Sequence, residues 1–372
     1  MKVGVPKEVK VQEHRVGLTP IAVREYTAAG HEVWVQSGAG AGIGATDAVY
    51  AAAGARIVDN APEVFAGTDM IVKVKEPQAT EWKMLRDGQI LFTYLHLAPD
   101  PAQAQGLIES GCIAVAYETV TDAHGGLPLL APMSEVAGRL AIEAAAFSLR
   151  KPAGGKGLLL GGVPGVKPAR VVVIGGGVVG THAARMAVGL GAEVTVLDRS
   201  LPRLRQLDEL FQGRVRTRYS SVATIEDEVF AADVVIGAVL VPGASAPRVV
   251  TRAMLKKMLP RSVLVDVSID QGGCFETSRA TTHDAPTYEV DDIIHYCVAN
   301  MPGAVPQTSS HALNHATLPF GLALAEHGER ALISNLHLRR GLNIHRGRVT
   351  CAPVAQALKL PFVTAEEALG IA

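Results

Sequence analysis

The chain has 372 residues, too many for one ordinary hydrophobic core, so two domains are expected. Hydrophobic residues make up 48% and charged residues 19%, a balance that excludes a disordered or fibrous chain. The formal net charge of -1 exerts no overall pull on a polyanion, and no long Lys/Arg block stands out, so nucleic acid is not an expected partner.

The amino-terminal "MKVGVPKEVK" lacks the apolar core of a secretory signal. No uninterrupted apolar segment approaches the roughly 20 residues that span a bilayer, so no membrane partner is expected. From Met1 to about Ala116, strand-like runs alternate with helix-period segments: "KVGVP", "PIAVREYTAAG", "HEVWVQ", "TDAVYAAAG", "ARIVD", "DMIVKVK", "TEWKMLRDG", "QILFTYLHL", "PAQAQGLIESG" and "CIAVAYE". Glycines end the helical segments and β-branched residues fill the strands, as a βαβ series requires. The expectation is a parallel sheet covered on both faces.

Next, Ser134 precedes "EVAGRLAIEAAAFSLRK", an alanine-rich stretch with an acidic first turn and a basic last turn, both favourable to a helix dipole. It reads as a rigid strut between domains. "GGKGLLLGGVPGVKPA", rich in glycine and broken by Pro164 and Pro168, reads as a loop. A second βαβ series follows: "ARVVVIGGG", "VVGTHAARMAVGLG", "AEVTVLD", "LPRLRQLDELFQG", "RVRTRYS", "SVATIEDEVFA", "ADVVIGAV", "TRAMLKKML" and "SVLVDVS". Beyond Met301 come the helix-period "SSHALNHATLPFGLALAEHGERALIS" and a hairpin-like "NIHRGRVT". The fold expected is thus α/β, with two doubly wound parallel-sheet domains joined by long helices. Residues 1–130 and 305–372 form one discontinuous domain, because the late helix packs most economically on the first sheet, and residues 131–304 form the other.

Gly175, Gly177 and Gly180 stand in G-x-G-x-x-G spacing after an apolar strand and at the start of a helix, the context in which such a triplet signals a Rossmann dinucleotide site. Gly175 allows the tight turn, Gly177 admits the pyrophosphate to the backbone, and Gly180 lets helix and strand pack. The helix amino terminus supplies amides and a positive dipole end. Asp198 closes the next strand where a ribose-binding carboxylate is expected; it repels a 2′-phosphate and favours NAD over NADP, although Arg199 and Arg203 lie close by.

Ligands of open parallel sheets bind outside the carboxyl ends of the strands. At such ends in the first domain stand Arg15 in "QEHRVGLTP", Lys75 in "MIVKVKEP" and His96 in "ILFTYLHLAPD". Taken alone, Arg15 is a solvated loop charge, Lys75 an exposed strand end, and His96 a buried ring satisfied by a backbone carbonyl. Taken together they make an anion pocket. In the second domain "SVLVDVSIDQGG" carries Asp270 to the corresponding rim, while Asp266 lies within the strand and reads as structural.

Cys112, Cys274, Cys297 and Cys351 are scattered and suggest neither a zinc site nor a disulfide framework, which fits a reducing cytoplasm. Glu326 and His327 could ligate a divalent ion, but adjacent polar residues late in a helix read as surface groups; no metal is expected.

"KVGVPKE", "EHRVGLTP", "VKVKEP", "FTYLHLA", "MSEVAGR", "GGGVVG", "VSIDQGG" and "NMPGAVP", in that order, resemble the alanine dehydrogenase family, which also includes the transhydrogenase alpha subunit. The resemblance implies an L-alanine dehydrogenase, an NAD-dependent enzyme that interconverts L-alanine with pyruvate and ammonium. It implies that Arg15 and Lys75 bind substrate and that His96 and Asp270 are the acid/base residues. It further implies a cofactor site of Ser134, Gly175, Gly177, Val178, Val179, Gly180, Asp198, Arg203, Ser220, Val239, Leu240, Val267, Ser268, Ile269, Asp270, Arg279, Val298, Ala299, Asn300 and Met301, and a cytoplasmic homohexamer. Rival readings are a transhydrogenase-type NAD(H)-binding subunit, a saccharopine-type dehydrogenase, and a redox sensor that binds NADH without turnover.

Overall fold

The valine- and isoleucine-rich runs of the first third form six short strands: β1 (Lys2–Val5), β2 (Glu32–Gln36), β3 (Arg56–Val58), β4 (Met70–Val72), β5 (Ile90–Thr93) and β6 (Ile113–Ala116). Seven follow in the middle of the chain: β7 (Arg170–Ile174), β8 (Glu193–Asp198), β9 (Val215–Tyr219), β10 (Val234–Gly237), β11 (Val263–Asp266), β12 (Thr287–Val290) and β13 (Ile293–Tyr296). Two come late, β14 (Leu342–His345) and β15 (Arg348–Val349). The computed structural model describes residues 1–239 and 246–371. By its contacts the chain divides into two units, Met1–Met133 with Val305–Ala372, and Ser134–Ala304.

In the first unit the strand order is β15-β14-β6-β5-β4-β1-β2-β3. The strands from β6 to β3 are parallel, and β4, β5 and β6 are buried along their whole length, as strands covered on both faces must be. In the second unit the order is β12-β13-β11-β10-β7-β8-β9. Its six parallel strands reverse direction of winding between β7 and β10, the doubly wound arrangement with a switch point beside β7.

Both sheets are mixed rather than purely parallel. In the first, β14 pairs antiparallel with β6 and with β15, whose hairpin turns through Arg346 (φ 47°) and Gly347 (φ 81°). In the second, β12 and β13 form a hairpin whose two turn residues, Asp291 (φ 49°) and Asp292 (φ 63°), are both left-handed. That turn matches the twist of the strands it joins. A further helix at Ala61–Gly67, started by the Asn60 side chain accepting from the Glu63 amide, also goes beyond the sequence expectation.

The strut helix differs in its ends. It runs Ala131–Ser148, so Ser134 lies inside it and is not its cap. Pro132 is at home in the opening turn, where its missing N–H leaves no bond unmade. The helix stops before the basic residues, because Arg150 is extended (ψ 145°) and the Leu149 carbonyl turns to the amides of Gly157 and Leu158. The late helical stretch is also two helices. Pro306–His327 ends where Gly328 takes φ 55°, and Glu329–Ser334 begins anew. The longer helix is stitched to the loop after β1: Ser310 Oγ accepts from the Val16 amide, and Asn314 accepts from the Thr19 amide while donating to the Gly17 carbonyl.

Between β1 and β4 the first unit buries a charge cluster. Lys73 is fully buried and donates to Glu8 at 3.0 Å and to Glu81 at 2.7 Å. Glu8 accepts the Val74 amide with its other oxygen, and Glu81 caps its helix by accepting the Gln78 amide. Burial pushes the Glu8 carboxyl up, and the Lys73 ammonium only partly offsets this. Replacing Lys73 with Met should therefore leave two buried carboxylates uncompensated and cost roughly 3–5 kcal/mol of stability. The Glu8 carboxyl would bind a proton more tightly in the folded chain than in the unfolded one, so the deficit should shrink as pH falls. Denaturant titrations of Lys73→Met at two pH values check both statements.

Candidate active site

Three loops that leave the carboxyl ends of adjacent strands β5, β4 and β1 carry the first unit's candidates. Arg15 lies in the loop between β1 and the helix Pro20–Ala28, with Lys75 just past β4 and His96 just past β5. Backbone pairing continues beyond the regular strands, with Lys73 donating to the Phe92 carbonyl and Tyr94 to the Val74 carbonyl, so the two exits are held side by side.

Arg15 is not a solvated loop charge. Its side chain is 2% exposed, and Nε and Nη2 donate to the two carboxylate oxygens of Glu13 at 2.7 and 2.6 Å. Nη1 donates toward Met133 Sδ at 3.1 Å. Burial disfavours the charged guanidinium, but the hydrogen bonds and charge of Glu13, with the fields of Tyr94 and Glu8, together outweigh it and hold the pKa up.

His96 is not a buried, satisfied ring. Its side chain is 43% exposed, on left-handed backbone (φ 48°), with its ring parallel to that of Tyr94 at 5.7 Å. Glu118 fixes this conformation. One of its oxygens accepts the His96 amide at 2.6 Å, both accept from the Leu95 amide, and Nδ1 of the ring lies 3.8 Å away. Tyr94 is buried and donates to the Leu129 carbonyl.

Lys75 is half-buried, and its carbonyl accepts from Thr93 Oγ1. Beside it Glu76 pairs with Lys10. Burial raises the Glu76 carboxyl, yet Lys75, Lys10 and His96 together hold it below its ordinary range, which places both ammonium groups and the His96 ring within electrostatic reach of one carboxylate. Glu13, Glu76, Tyr94, Glu118 and Met133 escaped the sequence reading. Glu13, Glu76 and Tyr94, each within two residues of Arg15, Lys75 or His96, left a local trace; Glu118 and Met133 did not.

In the second unit the candidates gather along one edge, at the carboxyl ends of all six parallel strands. Gly175 to Gly180 follow β7, Asp198 ends β8, Ser220 follows β9, Val239 follows β10, Val267 to Asp270 follow β11, and Val298 to Met301 follow β13. Leu240 lies outside the described residues. Gly175 takes φ 105°. A Cβ on Gly180 would sit 1.8 Å from the Gly175 carbonyl oxygen, whereas one on Gly177 would meet nothing within 4 Å. The loop is thus closed toward the sheet and open outward, at the first turn of the helix Val178–Gly189, where Val178 is exposed and Val179 half-buried. A pyrophosphate fits such a cradle.

Asp198 accepts the Gly176 amide at 2.7 Å and the Ser200 amide at 2.7 Å, and its carbonyl accepts the Ser220 amide. Arg203 donates to the Gly176 carbonyl, Thr181 Oγ1 and Gln206, so all three of its nitrogens are engaged. Ser268 Oγ donates to the Val239 carbonyl, tying the β10 and β11 exits together. Asp266 is buried and accepts the amides of Ser268, Cys274 and Phe275 and the hydroxyl of Ser278; burial raises its pKa against those bonds. It is an organiser of the turn that presents Ile269, buried, and Asp270, exposed.

Two residues are placed differently. Ser134 is half-buried in the helix Ala131–Ser148, and Arg279 stacks its guanidinium over Tyr288 at 4.1 Å. The Val298 strand end bridges to Thr281, Asn300 is left-handed (φ 61°) and Met301 is buried. Glu326 and His327 are both exposed, with Glu326 3.6 Å from His31.

Residues 4–137 match the model of the alanine dehydrogenase/PNT N-terminal domain, and residues 141–352 that of the alanine dehydrogenase/PNT C-terminal domain. The chain is 57% identical over 371 residues to an alanine dehydrogenase of Halomonas elongata, covering 100% of each. It is 55% identical over 363 residues to an alanine dehydrogenase of Mycobacterium tuberculosis, covering 97% of this chain and 98% of that one. Among solved structures, an L-alanine dehydrogenase matches with a TM-score of 0.93 at 49% identity, over 96% of this chain and 99% of the other. A transhydrogenase from Sinorhizobium meliloti matches with a TM-score of 0.80 at 25% identity, over 95% and 99%. The two sheets, the glycine cradle and the full-length likeness agree, and the chain belongs to the alanine dehydrogenase/PNT family.

Proposed function

We propose that the chain is an L-alanine dehydrogenase, an oxidoreductase that reversibly converts L-alanine and water to pyruvate and ammonia with NAD as oxidant. The observation that carries this reading is the set of cationic loops at the ends of adjacent strands β1, β4 and β5, in a chain with more than half its residues identical to an alanine dehydrogenase along its whole length. The transhydrogenase-type alternative has the weaker support, at 25% identity, and passing hydride between two nucleotides gives Arg15, Lys75 and His96 no task.

On this reading the unit built on β1 to β6 serves the substrate and the unit built on β7 to β13 the dinucleotide. NAD supplies, when bound, the acceptor for the hydride that leaves Cα. Gly175, Gly177 and Gly180 with Val178 and Val179 would hold its pyrophosphate, and Asp198 the ribose, joined by Ser134, Arg203, Ser220, Val239, Leu240, Val267 to Asp270, Arg279 and Val298 to Met301. The Asp198 carboxylate opposes a 2′-phosphate, and the engagement of every Arg203 nitrogen within the protein supports NAD over NADP.

Arg15 grips the substrate carboxylate by a charge-assisted contact that fixes orientation as well as affinity. Lys75 donates to the keto oxygen and stabilises the charge that develops there. Once hydride has left, water adds to the iminium carbon. Asp270 accepts the proton of that water or of the amine, and His96 shuttles a proton at the same oxygen as the carbinolamine collapses and ammonia departs. The exposed imidazole, held by its own backbone instead of by ring hydrogen bonds, supports such a shuttle. The protein would work in the cytoplasm as a homo-oligomer, a hexamer by family likeness. Exposed Leu159, Val163 and Val166 offer apolar surface for such contacts, and among the described residues no helix is long and apolar enough to cross a membrane.

Purified protein mixed with pyruvate, ammonium and NADH should lose the absorbance of reduced nicotinamide; no loss would remove the assignment. His96→Ala and Asp270→Asn should each lower kcat by roughly 10²–10⁴-fold with NADH affinity nearly intact. Gly177→Ala should weaken NADH binding at unchanged melting temperature, whereas Gly180→Ala should lower the melting temperature outright, since its methyl would collide with the Gly175 carbonyl. Titration and thermal melts of the two variants separate these outcomes.

A further inference from the structure

Glu13 holds the same guanidinium that the proposed function assigns to the substrate carboxylate. Its two oxygens take Nε and Nη2 of Arg15 as a side-on fork, and Oε1 also accepts the Arg15 backbone amide at 2.9 Å. Both side chains are buried, 2% and 0% exposed. The carboxylate therefore does two things to one group.

The first is geometric. A fork plus a backbone anchor leaves the guanidinium plane no freedom to rotate, so the edge away from Glu13 points one way, with Nη1 directed toward Met133 Sδ. The second is electrostatic. An arginine whose buried charge is already balanced gains less from a second carboxylate than an uncompensated one would. The neighbouring Glu8 adds to the same field and does not offset it.

We propose that Glu13 is a positioning residue for substrate, fixing the plane of Arg15 and, by balancing its charge, trading strength of carboxylate binding for accuracy of orientation. The inference rests on the reading that Arg15 receives the carboxylate. It implies an unusual kinetic signature. Loss of the Glu13 charge leaves a buried cation less fully balanced, with Glu8 still in its field, so a carboxylate ligand gains more from it and the substrate is held more tightly and less correctly. A purely structural role would instead raise KM or leave kinetics unchanged in the folded fraction.

In Glu13→Gln the KM for pyruvate should fall several-fold while kcat drops, by up to roughly 10²-fold if the acid is misplaced by about an ångström. The KM for NADH should hold. Pyruvate should also raise the melting temperature of Glu13→Gln more than that of the wild type, because it binds the folded form of the variant more tightly. An unchanged or higher pyruvate KM, or a wild-type kcat, overturns the proposal. Glu13→Asp keeps the charge on a shorter arm that cannot span the fork, so its pyruvate KM should stay near the wild-type value while kcat falls. A wild-type kcat there, or a lowered KM, also overturns it, and this variant decides the matter should Glu13→Gln fail to fold. Arg15→Met separates the two layers. A large rise in pyruvate KM with unaltered Glu13→Gln kinetics sinks the Glu13 inference alone, whereas an unaltered KM in Arg15→Met sinks the assignment of Arg15 and the inference with it.

Discussion

A chain that lays its strands parallel must cross back after each one, so every carboxyl end opens on the same edge of the sheet. That constraint organises both units. It brings the loops after β1, β4 and β5 side by side although Arg15 and His96 stand far apart in the chain, and it lines the exits of six strands along one rim of the second sheet. Within each unit the candidate site residues are not otherwise related. They share a rim because apolar strands, buried on both faces, leave only their ends for polar work.

What the rim presents is then tuned by charges kept out of water. Glu13 faces Arg15, Glu8 and Glu81 face Lys73, and Glu118 pins the His96 backbone. Each carboxylate accepts a backbone amide as well as facing its cation or imidazole, so it fixes loop shape and side-chain direction with one group. In the second unit Asp266 plays the same part for the turn that carries Asp270, and Asp198 for the glycine loop.

The glycine spacing, the alternation of strands and helices, and the placement of Arg15, Lys75 and His96 past strand ends could be read in the sequence because they depend on local pattern. So could the hairpin of "NIHRGRVT", but its pairing with β6 and the earlier hairpin did not stand out. "TYEVDDIIHY" holds two β-rich runs around Asp291 and Asp292, a legible hairpin, but Asp-Asp is a weaker turn signal than Asn-Gly. The burial of Lys73 was hidden for a different reason: in "VKVK" it alternates like an outward lysine, and only Glu8 and Glu81, from other elements, make its burial tolerable. The true state of His96 depended likewise on Glu118, which belongs to the turn after β6. Helix ends failed where a proline opened a helix early, at Pro132 and Pro306, ahead of the residues that looked like its start.

The antiparallel pairing of β14 with β6 has a consequence for biosynthesis. The partner of β6 leaves the ribosome only after every residue of the Rossmann unit has been made. Until then the nascent first sheet ends in a fully apolar strand with one open edge, the kind of surface on which wrong strands of other chains add. A truncation anywhere before Leu342 would leave that edge bare for good, so the carboxyl-terminal hairpin acts as the molecule's own cover against aggregation.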